Sequence, residues 1–300
     1  MHRVDGRSYW FAGYFNRFDR ELMVRYAGLA RAERFNETFG GRIPFAEARI
    51  VSVFDPDETA ARQFAETFGA EVARTLDEFA AGLDAVIVPF PSGGPARDYA
   101  VTAPLAERGI PLFLDRIILE QSEQLRRLCE RVAPMRVPLH VTSFMRYFAE
   151  LLLPEGTDRA ECVVASTSGD ARGYGADLLD LVDELIKSQP EQVINVGDVA
   201  KDILRIRYED GRHAVIQLFH EAATPIHVTA LGERWCRALT LDGSQNHLGA
   251  FRQFQAFLHS LDTREPPVPY ERVMASAAVL HTVESREFGR AFAVRDMAAG

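Results

Sequence analysis

Two side chains in the second half of this sequence have the type and spacing suited to proton transfer. Asp177 and Asp180 are three residues apart, so both carboxylates lie on one face of a helix predicted over 175–187. In a cleft, two nearby carboxylates raise the pKa of one of them, which can then act as an acid or a base. The alternative is a helix start rich in acids because the helix dipole favours them. Arg146 and Tyr147 follow a predicted strand and are further candidates for the cleft.

The first half of the chain alternates short apolar strands with helices, and this order places the remaining candidates. Strands are predicted over 8–13, 49–54, 84–90, 111–114 and 138–143, with helices over 18–35, 56–69, 95–108 and 119–132. Near-continuous apolar strands separated by helices are typical of a parallel sheet covered on both faces. Ligands of such sheets bind outside the carboxyl ends of the strands. The candidate binding residues are therefore at 13–17, 55, 90–94 and 115–117.

The turn at 13–17 has two interpretations. Its backbone amides, at a helix start, could bind an anion, and Arg17 adds positive charge. Alternatively, it is a strand-to-helix turn without a phosphate, in which Tyr14 and Phe15 fill the space beside Gly13. These two rings belong to an aromatic cluster that could stack on a ligand ring, fill the core or form a subunit contact. Asp55 could hold a ribose hydroxyl, cap the helix that starts at Pro56, or do both.

The second half of the chain has a different rhythm. A strand over 161–166 and the helix over 175–187 precede two hairpins, 203–208 with 213–219 and 226–231 with 235–241. Asp210-Gly211 is a typical hairpin turn. A helix over 248–261 follows, then a Pro-rich link at 265–269 and a last helix to about residue 288. The chain is therefore predicted to be an α/β protein, with a parallel N-terminal sheet and a C-terminal α+β domain on an open antiparallel sheet.

The order of these elements resembles the Gfo/Idh/MocA family of NAD(P)-dependent sugar and polyol oxidoreductases, from about Ser8 to Val294. The segments that carry the resemblance include VFDPDETAARQFAETFGAEV, DAVIVPFPSG, GIPLFLDRIILEQSEQLRRLCERV and VTSFMRYF. It implies a Rossmann-like nucleotide-binding domain over 1–143 and a substrate and dimerisation domain over 144–300, with the last helix packing back on the first domain. It also implies NAD or NADP as cofactor, a small hydroxy or oxo substrate, and a homodimer through the C-terminal sheet.

At the family's functional positions the chain departs from the pattern. Of the glycine fingerprint only Gly13 remains, and the other implied cofactor contacts are Tyr14, Phe15, Arg17, Asp55, Phe90, Pro91 and Asp115. Arg116 replaces the family's lysine, and Asp177 its histidine. A guanidinium binds anions but is a poor acid or base, and Arg116 could instead form a structural ion pair. An oxidoreductase with the atypical catalytic residues Arg116, Asp177, Asp180 and Tyr147 is therefore expected. The alternative is a non-redox protein: a lyase or isomerase, a ligand sensor or a scaffold.

Composition excludes several other classes of protein. The 300 residues carry 34 Lys+Arg and 43 Asp+Glu, a net charge of −9 that argues against nucleic acid as the main partner. Lys187 and Lys201 are the only lysines, so no lysine is available to the first domain. No apolar stretch has the length of a membrane span or a signal peptide. Three cysteines without metal-ligand spacing predict buried free thiols, no metal site and a cytoplasmic location.

Overall fold

A computed structural model describes residues 1–2, 4–89, 95–115 and 122–294. The chain forms two compact units, Met1–Asp115 with Arg131–Leu139, and Arg116–Glu130 with His140–Gly300. A parallel N-terminal region precedes a mostly antiparallel C-terminal sheet, which confirms the predicted α/β fold class. The functional division at residue 143 stays a prediction.

The first unit is built from short parallel strands and helices. Its strands are β1 (Ser52–Val53), β2 (Glu71–Val72), β3 (Val86–Val88) and β4 (Leu112–Leu114), and the third member of the β3-β4-β5 sheet is β5 (Leu139–Val141). Its helices are α1 (Gly6–Ala12), α2 (Arg20–Ala27), α3 (Leu29–Phe39), α4 (Glu58–Phe68), α5 (Leu76–Ala80) and α6 (Pro95–Glu107), and α7 (Ser122–Val132) ends in this unit. His2 forms a parallel bridge with Phe54, and its N–H donates to Ile87 O at 3.0 Å. Met1–His2 therefore occupies the position of a strand beside β1 and β3.

The predicted strand over 8–13 is wrong, because these residues form helix α1. Asp5 caps this helix, and Asp5 and Ser8 together form a capping box. The aromatic run that follows favours a strand by propensity alone, but the cap and the burial of one helix face determine the local structure. The single helix predicted over 18–35 is also two helices, α2 and α3, separated at Gly28, where φ is +94°.

The second unit is centred on a seven-stranded sheet in the order β11-β10-β6-β9-β8-β7-β12. Its strands are β6 (Cys162–Ser168), β7 (Pro190–Asn195), β8 (Lys201–Tyr208), β9 (His213–Phe219), β10 (Ile226–Leu231), β11 (Cys236–Leu241) and β12 (Ala291–Ala293). β6 and β9 run parallel, whereas the other neighbours pair antiparallel. Alternate residues of β8 and β9, among them Ile206 and Ile216, are fully buried on one face. The opposite face includes Val164, which is 37% exposed.

The helices of this unit are α8 (Ala149–Leu152), α9 (Ala176–Ile186), α10 (Asn246–Thr263) and α11 (Tyr270–Glu284), with a 3₁₀ helix over Phe144–Phe148. Both predicted hairpins are confirmed, as are the predicted helices that correspond to α9, α10 and α11. Strands β7 and β12 and the 3₁₀ helix were not predicted. In the part of the chain that the structure describes, no helix has the length and apolarity needed to cross a membrane.

All three cysteines are free. Cys129 is buried, and burial raises the pKa of its thiol to about 12. Cys162 is half-buried and Cys236 is exposed. The expectation of buried thiols is therefore confirmed for Cys129 and wrong for Cys236.

Candidate functional site

The connection between Met1–His2 and α1 occupies the place where a Rossmann-type protein has its glycine-rich turn. Asp5 Oδ1 accepts hydrogen bonds from Arg7 N at 2.8 Å and Ser8 N at 2.9 Å, and Asp5 N donates to Ser8 Oγ at 3.0 Å. Gly6 is the one glycine between residues 4 and 8. The first amides of α1 therefore already have a carboxylate of this chain as their acceptor.

Two further carboxylates hold the same connection from neighbouring strand ends. Asp55, just beyond β1, accepts from Val4 N at 2.5 Å and from Asp57 N at 2.7 Å. Asp115, just beyond β4, is 1% exposed and forms an ion pair with Arg7. Two of the predicted cofactor residues, Asp55 and Asp115, thus contact one short segment that the sequence did not single out. The signal that could have found it is the Asp5-x-x-Ser8 capping pattern.

The turn at 13–17 does not begin a helix after a strand, so that part of the prediction is wrong. Gly13 ends α1, and a Cβ placed there would lie 2.5 Å from Cζ of Phe35. Tyr14 is fully buried, and its ring centroid is 5.7 Å from that of Phe35. Phe15 stacks on Phe45 at 5.6 Å. This placement supports core packing, the alternative interpretation, for these aromatic residues.

Arg17 is exposed, whereas Asn16 before it is buried and Phe18 after it is half-buried. Three other predicted site residues, Phe90, Pro91 and Arg116, lie outside the described residues.

In the second unit, a buried arginine joins two of the carboxylates of α9. Arg146 Nη1 lies 3.2 Å from Asp180 Oδ1, and Arg146 Nη2 pairs with Glu184. Asp180 Oδ2 also accepts from Ser143 N at 2.5 Å. Burial raises the pKa of Asp180 to about 7, although the Arg146 guanidinium and the Ser143 amide lower it. Asp180 is therefore a carboxyl that can gain or lose a proton near neutral pH.

Asp177, the other predicted residue of α9, is also buried, whereas Tyr147 is half-buried. Asp177 is 1% exposed in the first turn of α9, one turn before Asp180. Tyr147 hydrogen-bonds to Thr142, and burial raises the pKa of its phenol, so that the hydroxyl stays protonated. The predicted pair of α9 carboxylates thus lies in the interior rather than on a solvated helix face.

The sequence did not indicate a second network on α9, centred on Asp183. This carboxylate accepts from the Tyr208 hydroxyl at 2.8 Å and from Ser276 Oγ at 2.5 Å. Burial raises its pKa against these two hydrogen bonds. The partners come from β8 and α11, far along the chain, so only the spacing of Asp180 and Asp183 could have indicated a shared buried face.

A cavity of about 520 Å³ opens beside the Arg146 pairs. It is lined by the 3₁₀ helix, by α8, by the C-terminal ends of α9 and α10 and by the Pro-rich link. The charged and polar residues of the lining include Arg146, Tyr147, Glu184, Lys187, His259 and Glu265. Two predicted candidates, Arg146 and Tyr147, thus line one cavity, and Arg146 connects that cavity to Asp180. A cavity of mixed apolar and polar lining beside a titratable carboxyl suits a small molecule that carries hydroxyl or carbonyl oxygens.

Two histidines of the second unit, His220 and His227, form hydrogen bonds and do not line this cavity. His220 Nε2 lies 2.8 Å from Asp202 Oδ2, and His227 Nδ1 lies 2.9 Å from Thr240 Oγ1. Within the described ranges, no group of three or more His, Cys, Asp or Glu residues could hold a metal ion.

The parallel first unit and the sheet of the second define an α/β protein of the Rossmann-like class, and comparisons with known proteins show what it resembles. Residues 26–143 match the family model described as "Oxidoreductase family, NAD-binding Rossmann fold". This range leaves out α1 and the connection before it. No curated protein matches the chain. The resemblance to the Gfo/Idh/MocA oxidoreductases is confirmed, and residues 26–143 carry that family's NAD-binding Rossmann fold.

Solved structures are similar over most of the chain. GenD2 from gentamicin A biosynthesis, in complex with NAD, has a TM-score of 0.69 at 14% identity and covers 97% of this chain and 95% of its own. Scyllo-inositol dehydrogenase from Lactobacillus casei has a TM-score of 0.66 at 13% identity, and the match covers 83% of this chain and 91% of that enzyme. UDP-N-acetylglucosamine 3-dehydrogenase GnnA from Acidithiobacillus ferrooxidans has a TM-score of 0.61 at 15% identity, and the match covers 80% of this chain and 91% of that enzyme. At these identities the similarity shows the fold alone.

The family implies NAD or NADP, whose pyrophosphate needs free amides and closely spaced glycines at the first strand-to-helix turn. In this chain the amides of Arg7 and Ser8 are hydrogen-bonded to Asp5, and Gly6 has no glycine neighbour. Asp55 stands at a strand end, where a ribose-binding acid is expected. The described residues therefore fit a dinucleotide at the ribose position, but they do not fit its pyrophosphate.

Proposed function

We propose that this protein is an oxidoreductase that acts on a small hydroxy or oxo substrate, such as a sugar or a polyol, with NAD or NADP. The observation that carries the proposal is the match of residues 26–143 to an NAD-binding Rossmann fold. Structures that share the fold include an inositol dehydrogenase, a UDP-N-acetylglucosamine dehydrogenase and an NAD complex, which supports this substrate class.

The second unit supplies the substrate side of this proposal. The Arg146 guanidinium lines the cavity and can donate hydrogen bonds to a substrate oxygen, while Asp180 and Glu184 hold it in place. Tyr147 is a second hydrogen-bond donor in the lining. Asp180 exchanges a proton near neutral pH and thereby changes the charge beside Arg146. Asp177 and Arg116 stay proposed catalytic residues. No step is assigned to the dinucleotide, because Asp5 occupies the amides that its pyrophosphate needs.

A titration followed by an assay tests the proposal. The protein is titrated with NADH and NADPH in a calorimeter, and reduction of NAD⁺ and NADP⁺ is then measured with inositols and hexoses. The variant Asp180→Asn should lower kcat about a hundredfold, since a proton-transferring group typically contributes this much. Its affinity for NADH should not change. The control Glu191→Gln alters an exposed ion pair with Arg207 and should keep full activity. No binding at millimolar cofactor, together with no turnover, rejects the proposal.

The Asp5 cap favours a second candidate, a non-redox protein on the same scaffold. A lyase, an isomerase or a ligand sensor would use the cavity of the second unit without a hydride carrier. Mass spectrometry of small molecules that co-purify with the protein distinguishes the two candidates. A nicotinamide dinucleotide favours the oxidoreductase, whereas a sugar-like ligand alone favours the non-redox protein.

We further propose a homodimer formed through the sheet of the second unit, and a cytoplasmic location. The family resemblance supports the dimer, and the face of the sheet that includes Val164 is the surface it would use.

A further inference from the structure

Residues 4–8 leave few backbone donors for a ligand phosphate. Val4 N donates to Asp55, Arg7 N and Ser8 N donate to Asp5, and Asp5 N donates to Ser8 Oγ. A phosphate that approached this connection would have to displace an acceptor that the chain itself supplies.

The charges at the same place also oppose a phosphate. Three carboxylates, those of Asp5, Asp55 and Asp115, meet at this connection, and the Arg7 guanidinium among them is paired with buried Asp115. A pyrophosphate carries negative charge, and like charges repel more strongly in a partly desolvated cleft than in bulk water. Of the three carboxylates, Asp5 is the one whose oxygen is bonded to the amides themselves.

We propose that Asp5 is a specificity-determining residue, which excludes the pyrophosphate of a dinucleotide from the first strand-to-helix connection. The inference rests on the proposed function in one respect, since a nicotinamide dinucleotide is taken as the ligand. A dinucleotide then binds this chain only weakly, after its phosphates have displaced the Asp5 carboxylate. Glycine at this position removes the charge and the competing acceptor, and the absence of a side chain lets the backbone approach phosphates.

Binding of NADH to the full-length protein tests this inference by calorimetry. Asp5→Gly should lower the Kd for NADH by about tenfold or more, equivalent to about 1.4 kcal/mol. The matched control is Asp19→Gly. Asp19 caps α2 with the same geometry, since its Oδ1 accepts from Glu21 N at 2.8 Å and from Leu22 N at 3.0 Å. The control loses an equivalent helix cap elsewhere in the first unit and should leave the Kd unchanged.

A second variant keeps the test valid if Asp5→Gly does not fold. Asn caps helices as well as Asp does, so Asp5→Asn retains the hydrogen bonds and removes only the charge. It should lower the Kd by about threefold, a smaller gain that reflects charge alone. The inference is overturned if every variant at position 5 that folds binds NADH within twofold of the wild type, or if Asp19→Gly gives the same gain.

The outcomes separate this inference from the proposed function. If Asp5→Gly binds NADH more tightly but transfers no hydride with any sugar or polyol, Asp5 is the excluding residue and the oxidoreductase proposal fails. If the wild type already binds NADH tightly and turns over, and Asp5→Gly adds nothing, the oxidoreductase stands and the role of Asp5 is refuted.

Discussion

Asp180 shows how one buried carboxyl links the stability of this fold to pH. Its pKa rises from 3.8 to about 7 in the folded protein, because burial destabilises the charged carboxylate more than the ion pair with Arg146 stabilises it. The folded state therefore binds this proton more tightly than the unfolded chain does. The stabilisation is fully present below pH 3.8 and is lost as the pH rises to about 7. Asp183, with its own raised pKa, contributes in the same direction.

Replacing Asp180 with asparagine should remove this part of the pH dependence. The amide stays neutral and can still accept from Ser143 N. The stability of Asp180→Asn relative to the wild type should therefore increase by about 2 kcal/mol between about pH 5 and about pH 8. Urea unfolding of both proteins at the two pH values measures this difference. A difference that does not change with pH would contradict the raised pKa.

At the residue scale, the sequence indicated Asp177, Asp180 and Arg146, but not Asp183 and its partners. The spacing of Asp177 and Asp180 predicts one shared helix face, and both residues are buried in α9. Asp183 could not be interpreted in the same way, because Tyr208 and Ser276 reach it from elements far along the chain. Spacing along a helix is local information, whereas a buried network is defined by tertiary packing.

The elements of the first unit differ most from the prediction near the chain start. A run of aromatic residues favours a strand by propensity, but the Asp5 cap and the burial of Tyr9 and Phe11 stabilise helix α1 instead. By contrast, α4 was predicted closely. Its cap is Asp57 rather than the predicted Asp55, and Gly69 ends it with a φ of +66°. Both signals lie within the element itself, which is why the sequence was sufficient there.

Two hairpin glycines should differ strongly when each is changed to alanine. A Cβ on Gly197, between β7 and β8, would overlap the carbonyl oxygen of Lys201 and lie 2.8 Å from Ile203 N. Gly211, between β8 and β9, has a φ of +85° and open space around it. Gly211→Ala should therefore cost about 1 kcal/mol of backbone strain. Gly197→Ala should cost about 3 kcal/mol, because backbone atoms must move.

Thermal and urea unfolding of both glycine variants measure these costs. Equal destabilisation would show that the turn between β7 and β8 relaxes easily, contrary to the tight contact with Lys201 and Ile203.

For the whole molecule, the sheet of the second unit supports a prediction about assembly. Val164 lies on central strand β6, opposite Val215 of β9 and Thr229 of β10. If this face forms the proposed homodimer, Val164→Asp buries an unpaired charge and should shift the protein to a 33.6 kDa monomer in sedimentation velocity. Val199→Asp, at a site that is 81% exposed in the β7–β8 turn, is the matched control and should leave the dimer intact. A wild type that sediments as a monomer refutes the interface.

The strand order has a consequence for the chain while a ribosome is still making it. β6 lies between β10 and β9 and pairs with both, yet Cys162 is opposite His213, roughly fifty residues later. Until those residues have been translated, both edges of β6 are without their partners in the sheet. Such non-local pairing is slow and leaves strand edges open to other chains. We therefore infer that a nascent chain that stops before β9 exposes both edges of β6, and that chaperones bind it at this stage.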